Sequence, residues 1–111
     1  MALSLKPGVV LTGLRTEMAI AAQVVADVYA ELGADCVITS ALDSTHSANS
    51  LHYVGAALDF RTSVLSAEDQ GSLVETVKER LGEDFDVVLE TDHLHIEHDV
   101  EQPVDEMGAV A

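Results

Sequence analysis

Two short stretches of this chain repeat with a period of two, and each sets chemistry-bearing side chains apart from apolar ones. From residue 55 to 61, Ala56, Leu58 and Phe60 alternate with Gly55, Ala57, Asp59 and Arg61. From residue 93 to 98, Leu94 and Ile96 alternate with His93, His95 and Glu97. Successive side chains of a strand point to opposite faces. Both stretches therefore read as strands: Asp59 and Arg61 share a face of one, and His93, His95 and Glu97 share a face of the other. His98 falls with Leu94 and Ile96 or at the strand end, and no role is assigned to it.

The remaining elements follow from local signals. Residues 1–13 read as extended or loop-like. Thr16 is placed to cap a helix running to about Leu32, with Glu17 in its first turn. Leu14, Met18, Val25, Val28 and Leu32 recur near helical spacing, and Gly33 suits the helix end. Cys36–Ser40 is a short apolar run that fits a buried strand. Residues 41–51 are polar and turn-rich, a loop leading to His52. Ser66 and Asp69 make a capping-box-like start for a second helix, with Leu73, Val74, Val77 and Leu81 as its stripe and Gly82 as its stop. Phe85–Glu90 and His93–His98 then form a hairpin turning at Thr91-Asp92. The tail after Val100 contains Pro103 and small residues and is expected to drape over the surface or move. Helices and strands do not alternate as in a doubly wound sheet. The predicted fold is one α+β domain spanning residues 1–111, a small antiparallel sheet with two main helices.

With 111 residues and 48% hydrophobic content, the chain can build one modest core. Twenty acidic residues against five basic ones give a net charge of -15. No basic patch is visible, so nucleic acid and anionic membrane surfaces are unfavourable partners. The charge suits solubility, high salt or a basic partner. Cys36 is the only cysteine, which excludes an intrachain disulfide and reads as a buried small hydrophobe. The run from Met18 to Leu32 is interrupted by Gln23, Asp27 and Glu31, so no membrane span is expected. The N-terminus lacks a basic-then-apolar signal pattern, which implies synthesis in the cytoplasm.

His52, Asp59 and His95 stand out chemically. Two imidazoles and a carboxylate suit zinc with an open fourth position, the arrangement of catalytic rather than structural sites. The same ligand types also suit manganese or cobalt. Local spacing alone leaves two readings open: a metal site, or chance surface histidines among the five present.

The run Ser50-Leu-His52-Tyr-Val-Gly55-Ala-Ala-Leu-Asp59 resembles the Ser-x-His-x-x-Gly-x-Ala-x-Asp signature of the zinc D-alanyl-D-alanine peptidase family. Asp92-His93-Leu-His95 resembles that family's second motif, His-x-His. The family shares its fold with the hedgehog signalling domain and includes phage endolysins and bacterial cell-wall carboxypeptidases. The resemblance covers about residues 35–98. It implies a hedgehog/DD-peptidase-like domain, Zn2+ held by His52, Asp59 and His95, and small residues at Gly55 and Ala57 that let the loop pack close to the metal. It implies an acidic general base just before the last ligand, a position that Asp92 matches. Glu90 is the close rival, because it faces His93 across the hairpin while an extended strand would turn Asp92 away from His95; a turn conformation at Asp92 removes that objection, and Asp92 ranks first. His93 shares a face with His95 and could stabilise the intermediate or orient the base, or serve as a structural histidine. His46 either lines the cleft or is a plain loop residue.

One departure bears on substrate. Many family members carry arginine in a Ser-Gly-x-Arg segment that holds a substrate carboxylate; this chain reads Ser40-Ala-Leu-Asp43. Either Arg61 or Arg15 takes over that role, or no free C-terminus is needed, which leans towards an endopeptidase or endolysin over a strict carboxypeptidase. The expected function is a zinc metallopeptidase hydrolysing stem or cross-link peptides of peptidoglycan. It would act at the cell wall after release through a lysis system, or be carried in a phage particle. The alternative is a non-catalytic, zinc-stabilised structural or binding protein, for example a phage-particle component.

Overall fold

The computed structural model describes residues 2–42 and 55–98. Among them run, in chain order, β1 (Leu3–Leu5), α1 (Thr16–Glu31), β2 (Cys36–Ser40), β3 (Ala57–Arg61), α2 (Ala67–Leu81), β4 (Phe85–Leu89) and β5 (His93–His98). Residues 43–54, with His46 and His52, and residues 99–111 lie outside the described residues, as do the expectations placed on them.

α1 forms because Met18, Ala21, Ala22, Val25, Val28 and Tyr29 fall on one face, and all six are buried. Its start differs from expectation. Thr16 is the first helical residue, Arg15 occupies the capping position with extended backbone, and no side chain caps the helix. Gly33, at φ +76°, ends it as expected. α2 begins at Ser66, whose Oγ accepts a hydrogen bond from the Asp69 N–H at 3.1 Å. It buries Leu73 and Val77 and ends at Gly82.

The five strands form one sheet in the order β1-β2-β3-β5-β4. The sheet is mixed rather than antiparallel throughout, because β1 pairs parallel with β2, Leu3 opposite Cys36 and Leu5 opposite Ile38. That strand was legible only as extended chain. It is three residues long and exposed, and its hydrogen bonds go to a partner segment reached only after α1 has crossed over. The other pairings are antiparallel.

Ile38, Leu58, Phe60, Val87, Leu94 and Ile96 cover one side of the sheet and join the buried faces of α1 and α2 in a single core. Each large apolar side chain fully buried there contributes about 1.5–3 kcal/mol relative to exposure. The period-two pattern then leaves the opposite side to Thr39, Asp59, Arg61, His93, His95 and Glu97. One core thus fixes the register of a polar sheet face, since a one-residue slip would turn Leu58 and Phe60 outward.

Candidate functional site

β5 enters the sheet between β3 and β4, so its polar positions face those of β3. Arg61 lies opposite His93, Asp59 opposite His95, and Ala57 opposite Glu97. Asp59 and His95, 36 residues apart in sequence, are direct cross-strand partners, with His95 Nδ1 2.7 Å from Asp59 Oδ1. On its other side the ring meets Glu97, with Nε2 2.8 Å from Oε1. The three side chains are part-buried. Carboxylates on both sides favour an imidazole with both nitrogens protonated. The hydrogen bond to Asp59 lifts the His95 pKa to about 9, against the opposing effect of burial and with further help from Glu97.

His93, two residues earlier on the same face, reaches towards the same carboxylate: its Nε2 lies 3.7 Å from Asp59 Oδ1. Its Nδ1 donates to Asp92 Oδ1 at 2.7 Å. That hydrogen bond, more than the accompanying charge attraction, holds the exposed Asp92 carboxyl below the usual carboxylate range. Asp92 and Thr91 make the hairpin turn, and the Glu90 N–H donates to the His93 carbonyl at 2.8 Å. The turn bends Asp92 out of the strand alternation and brings its carboxylate to His93. The objection that an extended strand would send Asp92 to the other face therefore does not hold. Glu90 is exposed beside the turn.

Asp92, His93, Arg61, Thr39, Ser63 and Lys6 line a cleft of about 320 Å³. The Thr39 hydroxyl approaches the Asp59 carbonyl at 3.4 Å, tying β2 to the strand that carries Asp59. Arg15 is not part of this cleft; it sits at the start of α1, where its N–H donates to the Gly55 carbonyl at 3.0 Å. His98 packs its ring on Phe85, with centroids 4.8 Å apart.

Of the expected zinc ligands the described residues contain two, Asp59 and His95; His52 lies outside them. A carboxylate and an imidazole are zinc donor types, but here both ring nitrogens of His95 are engaged by carboxylates, so zinc would have to displace the proton shared with Asp59. Among the described residues, no cluster of three or more His, Cys, Asp or Glu side chains is arranged to hold a metal ion. Gly55 also has a structural reason. Its φ is +75°, and a Cβ there would meet the Gly13 carbonyl oxygen at 2.2 Å, so its smallness admits the Gly13–Leu14 backbone. The sequence pattern puts Glu97 on the face of His95 but gives it no role there; its contact with the ring adds that. Lys6 carries no local signal.

Against known proteins, no family model matches the chain, and neither a curated protein nor a solved structure is found similar to it. Among the described residues, no helix is long and apolar enough to cross a membrane.

Proposed function

We propose that the chain is a zinc-dependent peptidase of hedgehog/DD-peptidase-like fold that hydrolyses peptide bonds of peptidoglycan. The observation that carries this reading is the Asp59–His95 contact. One residue comes from each motif, and they meet at 2.7 Å on a polar sheet face beside Asp92 and His93. Strand pairing sets the two positions opposite each other; that they are a carboxylate and an imidazole, one from each motif, is what favours a metal site.

Asp59 and His95, with His52, would hold the metal. Zinc, when bound, supplies Lewis acidity that lowers the pKa of water and polarises a carbonyl. Glu97 keeps the His95 ring fixed from its far side, the role of carboxylates behind metal-ligating histidines. Asp92 is the group placed to take a proton from the attacking water and return it to the leaving amine. The hydrogen bond from His93 keeps it ionised, at the cost of some basicity. His93, bonded to Asp92 and near Asp59, orients that carboxylate. The cleft that contains Asp92 and His93 gives the peptide a place to lie.

Incubating the zinc-replete chain with purified peptidoglycan, with and without a strong chelator, tests the proposal. Release of peptide fragments that stops on chelation is the expected result. A zinc-loaded chain that releases none would leave the non-catalytic, zinc-stabilised reading in its place.

A further inference from the structure

All twenty acidic residues lie beyond Thr16. Residues 1–16 carry only Lys6 and Arg15, in a chain of net charge -15. Their strand, β1, is one edge of the sheet. Its Leu3 and Leu5 are 41% and 45% exposed. Register sets both on the helix side of the sheet, since Leu3 pairs with the buried Cys36 and Leu5 with the buried Ile38. There they line an apolar groove of about 310 Å³ with Leu11, Leu14, Ala22 and Ile38. Among the described residues, no charged side chain lines it. The backbone of β1 is only half used. The Cys36 N–H donates to the Ala2 carbonyl and the Lys6 N–H to the Ile38 carbonyl, both at 2.9 Å. Peptide groups alternate between the two edges of a strand, so those of Leu3 and Leu5 point out of the open edge.

We propose that β1 is the contact surface for a second copy of this chain, paired antiparallel about a two-fold axis through Ser4. The proposal is independent of the peptidase reading. Leu3 of each copy then faces Leu5 of the other, and their outward N–H and C=O groups bond across the junction. The facing leucines cover one another at the mouths of the two grooves. Charge selects the same partner. The pairing sets the Lys6 end of one strand beside the Ala2 end of the other. Asp35 sits at that end, its Oδ1 accepting from the Ala2 N–H at 3.1 Å. A cation and a carboxylate thus mark opposite ends of β1, and the two-fold reversal brings each towards its opposite. The other sheet edge, β4, does not offer this. Asp86 lies in it and Glu83, Asp84, Glu90 and Asp92 flank it, so two copies meeting there would set acid against acid. The axis stands perpendicular to the sheet, so the polar faces of both copies look the same way.

Sedimentation equilibrium of the full chain and a cross-link together test this. A three-residue edge is small, so the dimer should be weak, half formed at about 10 µM chain or above. It should tighten about tenfold or more between about 0.02 and 0.5 M salt, because screening relieves the repulsion between two acidic chains. Leu5→Lys, at an exposed position, should weaken it about tenfold or more. Val88→Lys, exposed on β4, should leave it within about twofold. The two-fold sets Ser4 opposite its own copy in a non-hydrogen-bonded pair, with Cα atoms about 4.5 Å apart, a separation that a disulfide spans. Ser4→Cys should therefore give a disulfide-linked dimer under mild oxidant, and Val64→Cys, exposed beyond β3, should not. Cys36 is buried and does not compete. The cross-link decides the matter should Leu5→Lys fail to fold. A chain that stays monomeric up to about 1 mM in high salt overturns the pairing and leaves the edge to a different protein. Association lost in Val88→Lys but kept in Leu5→Lys overturns it in favour of β4. Equal linking of Ser4→Cys and Val64→Cys overturns the two-fold register and the proposal with it.

Discussion

Gly55 crosses Gly13 so closely that a methyl group on it would lie 2.2 Å from the Gly13 carbonyl oxygen. The Arg15 N–H, two residues further on, donates to the Gly55 carbonyl at 3.0 Å. The chain leaving the His52 loop is thus pinned to the segment entering α1. Gly55→Ala meets both a positive φ and backbone atoms that cannot yield, and should destabilise the fold by about 2–4 kcal/mol in a urea melt. Gly33→Ala shares the positive φ (+76°) but has nothing within 4 Å of the added carbon. It should cost only about 1 kcal/mol. Equal losses for the two variants would show that the close approach contributes nothing.

Cys36 is buried in the core, and burial pushes its thiol up to about 12. A thiol-specific reagent at pH 8 should label the native chain far more slowly than the chain in denaturant. The folded state holds this proton more tightly than the unfolded one. The resulting stability is complete below the ordinary thiol pKa of about 8.5 and is lost as pH rises towards 12. Rapid labelling of native protein would contradict this placement.

The Tyr29 hydroxyl joins the helical layer to the end of β3 through the Arg61 carbonyl. Tyr29→Phe leaves that acceptor without its partner and should cost about 1–3 kcal/mol by chemical denaturation. A variant of unchanged stability would mean that the bond is not formed in solution.

Period-two patterning made β3 and β5 legible, and with them the faces of Asp59, Arg61, His93 and His95, because one buried core dictates which side each residue takes. α2 was legible from its Ser66 cap and apolar stripe. β1 was not: Leu3–Leu5 is too short to show a pattern, and only pairing with β2 makes it a strand. That same pairing delivers Lys6 to the cleft, so its place could not be read locally. The resemblance ties the smallness of Gly55 to a metal; its positive φ and close approach to Gly13 are a second reason that only the fold shows. At Asp92 the alternation left two sides open, and the turn decides between them by bringing its carboxylate to His93.

Zinc content and stability should be linked. The protein purified without chelator should carry about one zinc per chain, and His95→Ala and His52→Ala should lose it. Metal that binds only the folded state stabilises it by mass action, about 2.7 kcal/mol when free metal is 100 times its dissociation constant. Chelation should therefore lower the melting temperature, while the Asp59–His95–Glu97 hydrogen bonds still join β3 to β5 in the metal-free chain. Full metal retention by both alanine variants would remove the assigned ligands from consideration.

The two candidate bases are separable because the hairpin treats them differently. Asp92 lines the cleft and is bonded to His93; Glu90 lies exposed beside the turn and lends only its backbone N–H. Asp92→Asn keeps the shape and a hydrogen-bonding group beside His93 but cannot accept a proton. General acid–base assistance is typically worth about 10²–10⁴-fold, and kcat for peptide hydrolysis should fall by that factor with zinc content unchanged. Glu90→Gln should stay within a few-fold of the parent, since solvated surface charges contribute little. His93→Ala, which removes only the partner that orients Asp92, should fall between the two. Its rate should also decline at a higher pH than the parent's on the acid side, because Asp92 loses the hydrogen bond that keeps its carboxyl ionised. A reversed order, with Glu90→Gln inactive and Asp92→Asn near normal, would mean that the turn rearranges when substrate binds and hands the proton to Glu90.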